Sequence, residues 1–257
     1  MSYDFSWSDM RGSLGGPLLA IETSTRTAYV ALTSASGATL ASVFHTADRH
    51  SGNLLALCDR LFQQINTTPA QLGAIACSAG PGSFTGLRVG MSVAKGLALP
   101  FATPLILVSS LHTLAIDLSL IEEARGTAFI VACLDAGKGE LHVQEFIREE
   151  AAVQPYSEPL RLLPTDLFER LRGRQCELLL GGPQLAKFQA LAGIEELKGV
   201  HLFPAVAGPS AQSLAALSLA ALARGETTDL ATAAPTYGRG PDITTPKRKI
   251  VGVGPVS

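Results

Sequence analysis

Eleven consecutive residues, Gly80-Pro81-Gly82-Ser83-Phe84-Thr85-Gly86-Leu87-Arg88-Val89-Gly90, constrain the fold of this chain more than any other stretch. The apolar run Ala74-Ile75-Ala76-Cys77 leads into them and a helix-periodic run leads out, so the segment reads as a strand, a Gly/Pro turn and a helix N-terminus. The helix is expected from about Thr85 to Leu99, stopped by Pro100, with Leu87, Met91, Ala94 and Ala98 on one face. Gly86, Gly90 and Ala94 form a second stripe, of small residues. Glycine costs about 1 kcal/mol against alanine inside a helix, so the stripe implies close approach by another backbone. Exposed backbone N–H groups at such a helix start can cradle an anion, and a tight turn opening a packed helix fits the residues equally well. The segment is not a P-loop, because GxxxxGK[ST] is absent and Lys95 precedes Gly96; nor is it GxGxxG.

Upstream, Leu18–Ile21, Ala28–Leu32 and Thr39–Phe44 predict a β-meander, with the polar turn Glu22-Thr23-Ser24-Thr25-Arg26 after its first strand. Ser51 to Ile65 switches to helical spacing, with Leu54, Cys58, Leu61, Phe62 and Ile65 as its apolar stripe and Ser51 as N-cap. Leu55 and Leu57 widen the apolar surface beyond that stripe. Leu105–Val108 predicts a buried strand and Leu111–Leu120 a helix. After a polar stretch at Glu122–Gly126 the pattern restarts: strand at Phe129–Leu134, turn at Asp135–Gly139, paired strand at Leu141–Ile147, a further strand at Leu178–Leu180 before Gly181-Gly182-Pro183, and a helix at Ser213–Ala223. Two α/β units result, with mixed sheets flanked by helices and a boundary near residues 110–127.

Composition narrows the class. With 47% hydrophobic residues, 16% charged residues and a net charge of -2, the chain can bury a core and is no autonomous nucleic-acid binder. Cys58, Cys77, Cys133 and Cys176 are widely spaced without CxxC, which predicts reduced, packed thiols in a cytoplasmic protein. No signal-peptide core and no membrane span of about 20 apolar residues is found. Residues 1–17 read as a flexible extension, and 240–257, with Lys247-Arg248-Lys249, as a flexible tail.

The run Gly80–Gly90 followed by Lys95-Gly96-Leu97-Ala98 closely resembles the signature of the TsaB (YeaZ) family. Leu19–Ser24, His50-Ser51 with Leu54-Leu55, Val108–Leu111, Asp135–Leu141, and Pro235-Thr236-Tyr237 with Arg239 resemble that family's further motifs in order, over roughly residues 18–239. The resemblance implies an α/β, actin-like ATPase (ASKHA, ribonuclease H-like) fold of two related lobes, expected at 18–115 and 116–239. It implies a non-catalytic subunit of the assembly that forms N6-threonylcarbamoyladenosine in tRNA beside the anticodon, paired with a TsaD-type catalytic subunit and working with a TsaE-type ATPase. The tRNA is reached through the complex, and a homodimer is an option when the chain is alone. The pairing surface is expected on the two first-lobe helices, at Leu54, Leu55, Cys58, Leu61, Gly86, Leu87, Gly90, Met91 and Ala94.

Catalytic members of the superfamily carry HxxxH on a helix, binding metal. Here no two of His45, His50, His112, His142 and His201 are four apart, and the two ligand positions fall on Ser110 and Leu114, with His112 alone between them. No metal and no catalytic residue are therefore expected. A vestigial nucleotide site is weakly indicated at Glu22, Thr23 and Ser24, where actin-like ATPases usually place Asp, and at Gly181 and Gly182. Glu22 bonding turn amides and Gly181-Gly182 as a simple turn are the alternatives. No cofactor is expected to bind tightly, with ATP or ADP admitted only within the complex. The rival reading is an enzyme in its own right, an actin-fold ATPase or kinase or a glycoprotease-like hydrolase. Ser83 does not complete GxSxG, and Cys77 has no histidine near it in sequence.

Overall fold

Leu18-Leu19-Ala20-Ile21 is apolar on both faces of a strand, which suits a central position in a sheet covered on each side. In the computed structural model, β1 (Leu18–Glu22) is buried throughout, paired antiparallel to β2 (Thr27–Thr33) and parallel to β4 (Ala74–Gly80). The residues described are 14–46, 54–121, 127–149, 152–172, 174, 176–185, 197–203 and 207–236. With β3 (Thr39–Thr46) and β5 (Leu105–Ser109) the first sheet has the order β3-β2-β1-β4-β5. The second sheet contains β6 (Phe129–Gly137), β7 (Glu140–Glu149), β8 (Ala152–Pro155), β10 (Leu178–Gly181) and β11 (Val200–Phe203), in the order β11-β10-β6-β7-β8. A three-residue strand, β9 (Leu160–Leu162), also pairs with β7.

Both sheets follow one plan. An antiparallel meander supplies three strands, and two strands parallel to the first extend the sheet from the first strand's other side. The chain is thus two α/β units of one plan, as the restarting pattern predicts, and the plan is the ribonuclease H-like lobe of the actin-like fold that the resemblance implies.

Helices cover the faces. Both α1 (Leu54–Gln64) and α2 (Phe84–Ala98) lie on one face of the first sheet, sealing Leu19, Ile21, Val30 and Ile75 under Leu57, Leu61 and Met91. On the second sheet, α4 (Pro164–Arg172) covers Val131, Val143 and Leu178 with Leu167, Phe168 and Leu171. The helix that follows each sheet's last strand crosses to the other lobe. From the first lobe, α3 (Ser110–Ser119) packs Leu111, Leu114 and Leu118 on Ile130, Ala132 and Phe146; α5 (Ala211–Ala223) packs Leu214, Ala215 and Leu219 on Ala20, Ala31 and Ile106. The lobe boundary expected at 115/116 therefore falls inside α3, and α5 with the segment after it belongs to the first sheet, not to a second lobe reaching 239.

The flexible extension expected over 1–17 is also corrected at its end. Leu14 packs on the core beneath α5, Gly73 N–H donates to Pro17 O at 3.0 Å, and a Cβ on Gly16 would collide with Gln71 O. Residues 1–13, Ser51, Tyr237, Arg239 and the tail 240–257 lie outside the described residues. Cys58, Cys77 and Cys133 are buried free thiols, with burial pushing Cys58 up to about 12 and Cys77 and Cys133 further upward. No described helix is long and apolar enough to cross a membrane.

Candidate functional site

At the C-terminal end of β1 the polar turn is drawn inward. Glu22 and Thr23 are fully buried, and Ser24 nearly so. Glu22 Oε1 accepts from Ser24 N–H at 2.6 Å, and Thr23 N–H donates to Ser78 Oγ at 3.1 Å. Among the described residues, Glu22 Oε2, Thr23 Oγ1 and Ser24 Oγ have no hydrogen-bond partner. Desolvation dominates the carboxyl group: its pKa rises to about 7, with the Ser24 side chain, the Ser24 amide and the Ser78 side chain offsetting only part and the Asp117 charge adding a smaller upward effect. A carboxyl group raised this far carries less negative charge at neutral pH than an ordinary Glu, which weakens it as a partner for a metal–phosphate.

The glycine stripe faces this turn. A Cβ on Gly86 would strike Thr23 O, one on Gly90 would strike Thr23 Oγ1, and one on Gly82 would strike Ser24 O. The backbone whose close approach the stripe predicts is therefore the chain's own. Ser83 N–H donates to Ser24 O at 2.7 Å, and Ser83 Oγ caps α2 by accepting from Gly86 N–H at 3.2 Å. Of the amides at this helix start, those of Ser83 and Gly86 are thus engaged inside the protein, and the hairpin packs against α2.

By sheet topology, Gly181-Gly182-Pro183 after β10 is the counterpart of Gly80-Pro81-Gly82 after β4. A Cβ on Gly181 would collide with the Leu118 side chain and one on Gly182 with Cys133 O. Both glycines are required by packing, and neither is hydrogen-bonded to Glu22, Thr23 or Ser24.

Sequence reasoning missed a carboxylate that joins α3 to α5. Asp117, on α3, accepts from Ser210 N–H at 2.8 Å, Ser210 Oγ at 2.6 Å and Ser213 Oγ at 2.6 Å. It ties the start of α5 to α3, joining the two crossing helices, and burial holds its pKa above the usual carboxylate value. Ser210 as N-cap three residues before Ser213 was a readable signal; Asp117 on an otherwise apolar helix was the other.

On α3, Ser110 and Leu114 are fully buried, with Leu114 inside the core on the second sheet. His112 Nε2 lies 2.8 Å from Val153 O and its ring stacks on Phe146 at 5.3 Å, with burial lowering its pKa. No cluster of three metal-ligating residues occurs among the described residues.

Most residues expected on the pairing surface are core residues. Leu54, Cys58, Leu61, Gly86, Leu87, Gly90, Met91 and Ala94 are buried by the chain itself, and of the expected set only Leu55 is exposed, at 55%. The exposed residues of the helix pair are Leu55, Ala56, Asp59, Arg60, Gln63 and Gln64 on α1 and Phe84, Thr85, Arg88, Ser92 and Gly96 on α2, with Val89 and Val93 half-buried beside them. Nothing lies within 4 Å of a Cβ placed on Gly96.

Comparison with known proteins agrees with this geometry. A family model described as TsaD, tRNA N6-adenosine threonylcarbamoyltransferase, matches residues 44–177. The tRNA threonylcarbamoyladenosine biosynthesis protein TsaB of Escherichia coli (strain K12) is 30% identical over 225 residues, covering 86% of this chain and 94% of that protein. Its namesake in Haemophilus influenzae is 34% identical over 52% of this chain and 55% of its own length. The structure of YeaZ from Pseudomonas aeruginosa superposes with a TM-score of 0.73 at 26% identity, over 86% of this chain and 99% of that one. With a relation that runs nearly the whole length of a TsaB protein and a matching two-lobed fold, the chain belongs to the TsaB (YeaZ) family.

Proposed function

We propose that this chain is a non-catalytic subunit in the formation of N6-threonylcarbamoyladenosine in tRNA, pairing with a TsaD-type catalytic subunit and working beside a TsaE-type ATPase. The observation that carries the reading is the fate of the metal positions: a buried serine and a core leucine stand where catalytic relatives place two histidines. A side chain packed among Ile130, Ala132 and Phe146 has neither the donor atom nor the access that a metal ligand needs. The packing of the first hairpin against α2 and the raised pKa of buried Glu22 add a second argument, since they suit structural support better than phosphate chemistry. Nucleotide binding is then a property of the complex, and tRNA is reached through it. The exposed edge of α1 and α2 is the pairing surface, and it can serve two copies of this chain when the catalytic subunit is absent, because a self-complementary patch closes a two-fold dimer.

Reconstitution tests this. TsaD-type and TsaE-type proteins, tRNA and threonylcarbamoyl-adenylate are expected to yield modified tRNA only when this chain is added, and this chain alone is expected to yield none. Turnover by the chain alone, or full turnover without it, would overturn the proposal. Elemental analysis of the chain purified with zinc and iron in the medium is expected to find neither at stoichiometric level; one bound equivalent would favour the enzyme reading.

A further inference from the structure

Beyond α5 the chain turns at Gly225 and runs back across the first lobe, from the face covered by α5 to the face covered by α2. Thr228 N–H donates to Leu105 O at 2.7 Å and Thr228 Oγ1 accepts from Leu107 N–H at 3.3 Å, so this residue covers the outer edge of β5. Leu230 and Ala233 then pack into the core beneath α1 and α2. Lys95 Nζ, in the last turn of α2, donates to Ala233 O at 3.0 Å. Finally Thr236 N–H donates to Ala79 O at 2.7 Å, and Thr236 O occupies the place of a Cβ on Gly80, 2.6 Å from it.

A connection with nothing to hold needs neither buried apolar side chains nor hydrogen bonds to three separate elements. This one binds the edge strand, the C-terminal turn of α2 and the start of the glycine loop in succession. Its contacts sit at the last turn of α2 and at the loop that leads into α2, whose N-terminal half is already fixed by Gly86 and Gly90 against Thr23. Lys95 also gains from the negative end of the helix dipole, which suits an ammonium group directed at a carbonyl there. We propose that the strap 228–236 is a clasp that sets the position of α2 and of the Gly80–Ser83 loop, with Lys95 and Thr236 as positioning residues for the pairing surface; the last clause rests on the function proposed above. Lys95 is in this reading no phosphate ligand, and Gly80 is glycine so that the strap can close on it.

Two substitutions in the full chain isolate the clasp. Lys95→Met keeps the helix-compatible stem and removes the donor, and Thr236→Pro removes the N–H. Both are expected to leave circular dichroism unchanged and to accelerate hydrogen exchange over residues 79–98 by about tenfold in the isolated chain, since local opening is governed by local contacts. Lys95→Arg is expected to restore slow exchange. Affinity for the TsaD-type subunit is expected to fall by about tenfold in Lys95→Met. Unchanged exchange in both variants overturns the clasp, and faster exchange with unchanged affinity overturns its role in pairing. Leu55→Glu, which alters only the outer surface, separates the two readings: retained pairing in that variant sinks the proposed surface, while the exchange data still judge the clasp.

Discussion

Glu22→Gln is expected to stabilise the protein by roughly 3 kcal/mol at pH 8 and to change little at pH 4. The carboxyl group is fully buried and its pKa is raised from 4.5 to about 7, chiefly by desolvation. A raised folded-state pKa means that the folded protein holds a proton the unfolded chain has already released. Stability contributed by that proton is complete below pH 4.5, falls as the pH rises, and is lost once the pH passes about 7. Glutamine cannot ionise. Its carbonyl can keep the bond from Ser24 N–H, and its amide fills the place of the unpartnered Oε2. Denaturant midpoints of both proteins at pH 5 and pH 8 decide the matter: the gap between them should open with pH. Parallel pH profiles would mean that Glu22 is ionised throughout and that its environment is more polar than its burial indicates.

Elements with long periodic runs were legible in the sequence. The meander, α1, α2, α3 and the paired strands β6 and β7 follow the pattern to within a few residues. Four elements were not seen. β8 and β9 have four and three residues, too short for alternation to register, and they are held by pairing with β7 alone. β11 is likewise four residues long and partly exposed. α4 was readable in hindsight, with Pro164 at its start and Leu167, Phe168 and Leu171 on one face. The crossing of α3 and α5 between lobes was invisible, because periodicity reports that a helix has an apolar face and says nothing of which sheet it meets. The same limit governs the site. The small stripe on α2 correctly signalled a close backbone, but Thr23 lies more than sixty residues before Gly86 and Gly90, and no local pattern distinguishes a self-contact from a partner contact. Equivalence between the loops after β4 and β10 became visible only once strand order was known.

Gly90→Glu and Leu55→Glu are expected to fail in different ways. A side chain at Gly90 must displace Thr23, whose main chain is bonded to Ser78 and whose neighbour Ser24 is bonded to Ser83. A buried, unpaired carboxylate there costs several kcal/mol, so the first variant should lose thermal stability and pair poorly because α2 has moved. Leu55 is 55% exposed, so glutamate at that position should leave folding intact. At an interface it buries a charge against apolar surface, and an affinity loss of about a hundredfold, equivalent to roughly 3 kcal/mol, is the expected scale. Gly96→Arg should act like Leu55→Glu, since its Cβ meets open space and its bulk falls on the same outward edge. Titration with the TsaD-type subunit, alongside thermal unfolding of each variant, reads both quantities. Native stability with a hundredfold weaker pairing in Leu55→Glu and Gly96→Arg fits the exposed edge as the docking surface. Native stability with unchanged affinity in both would place that surface elsewhere on the molecule.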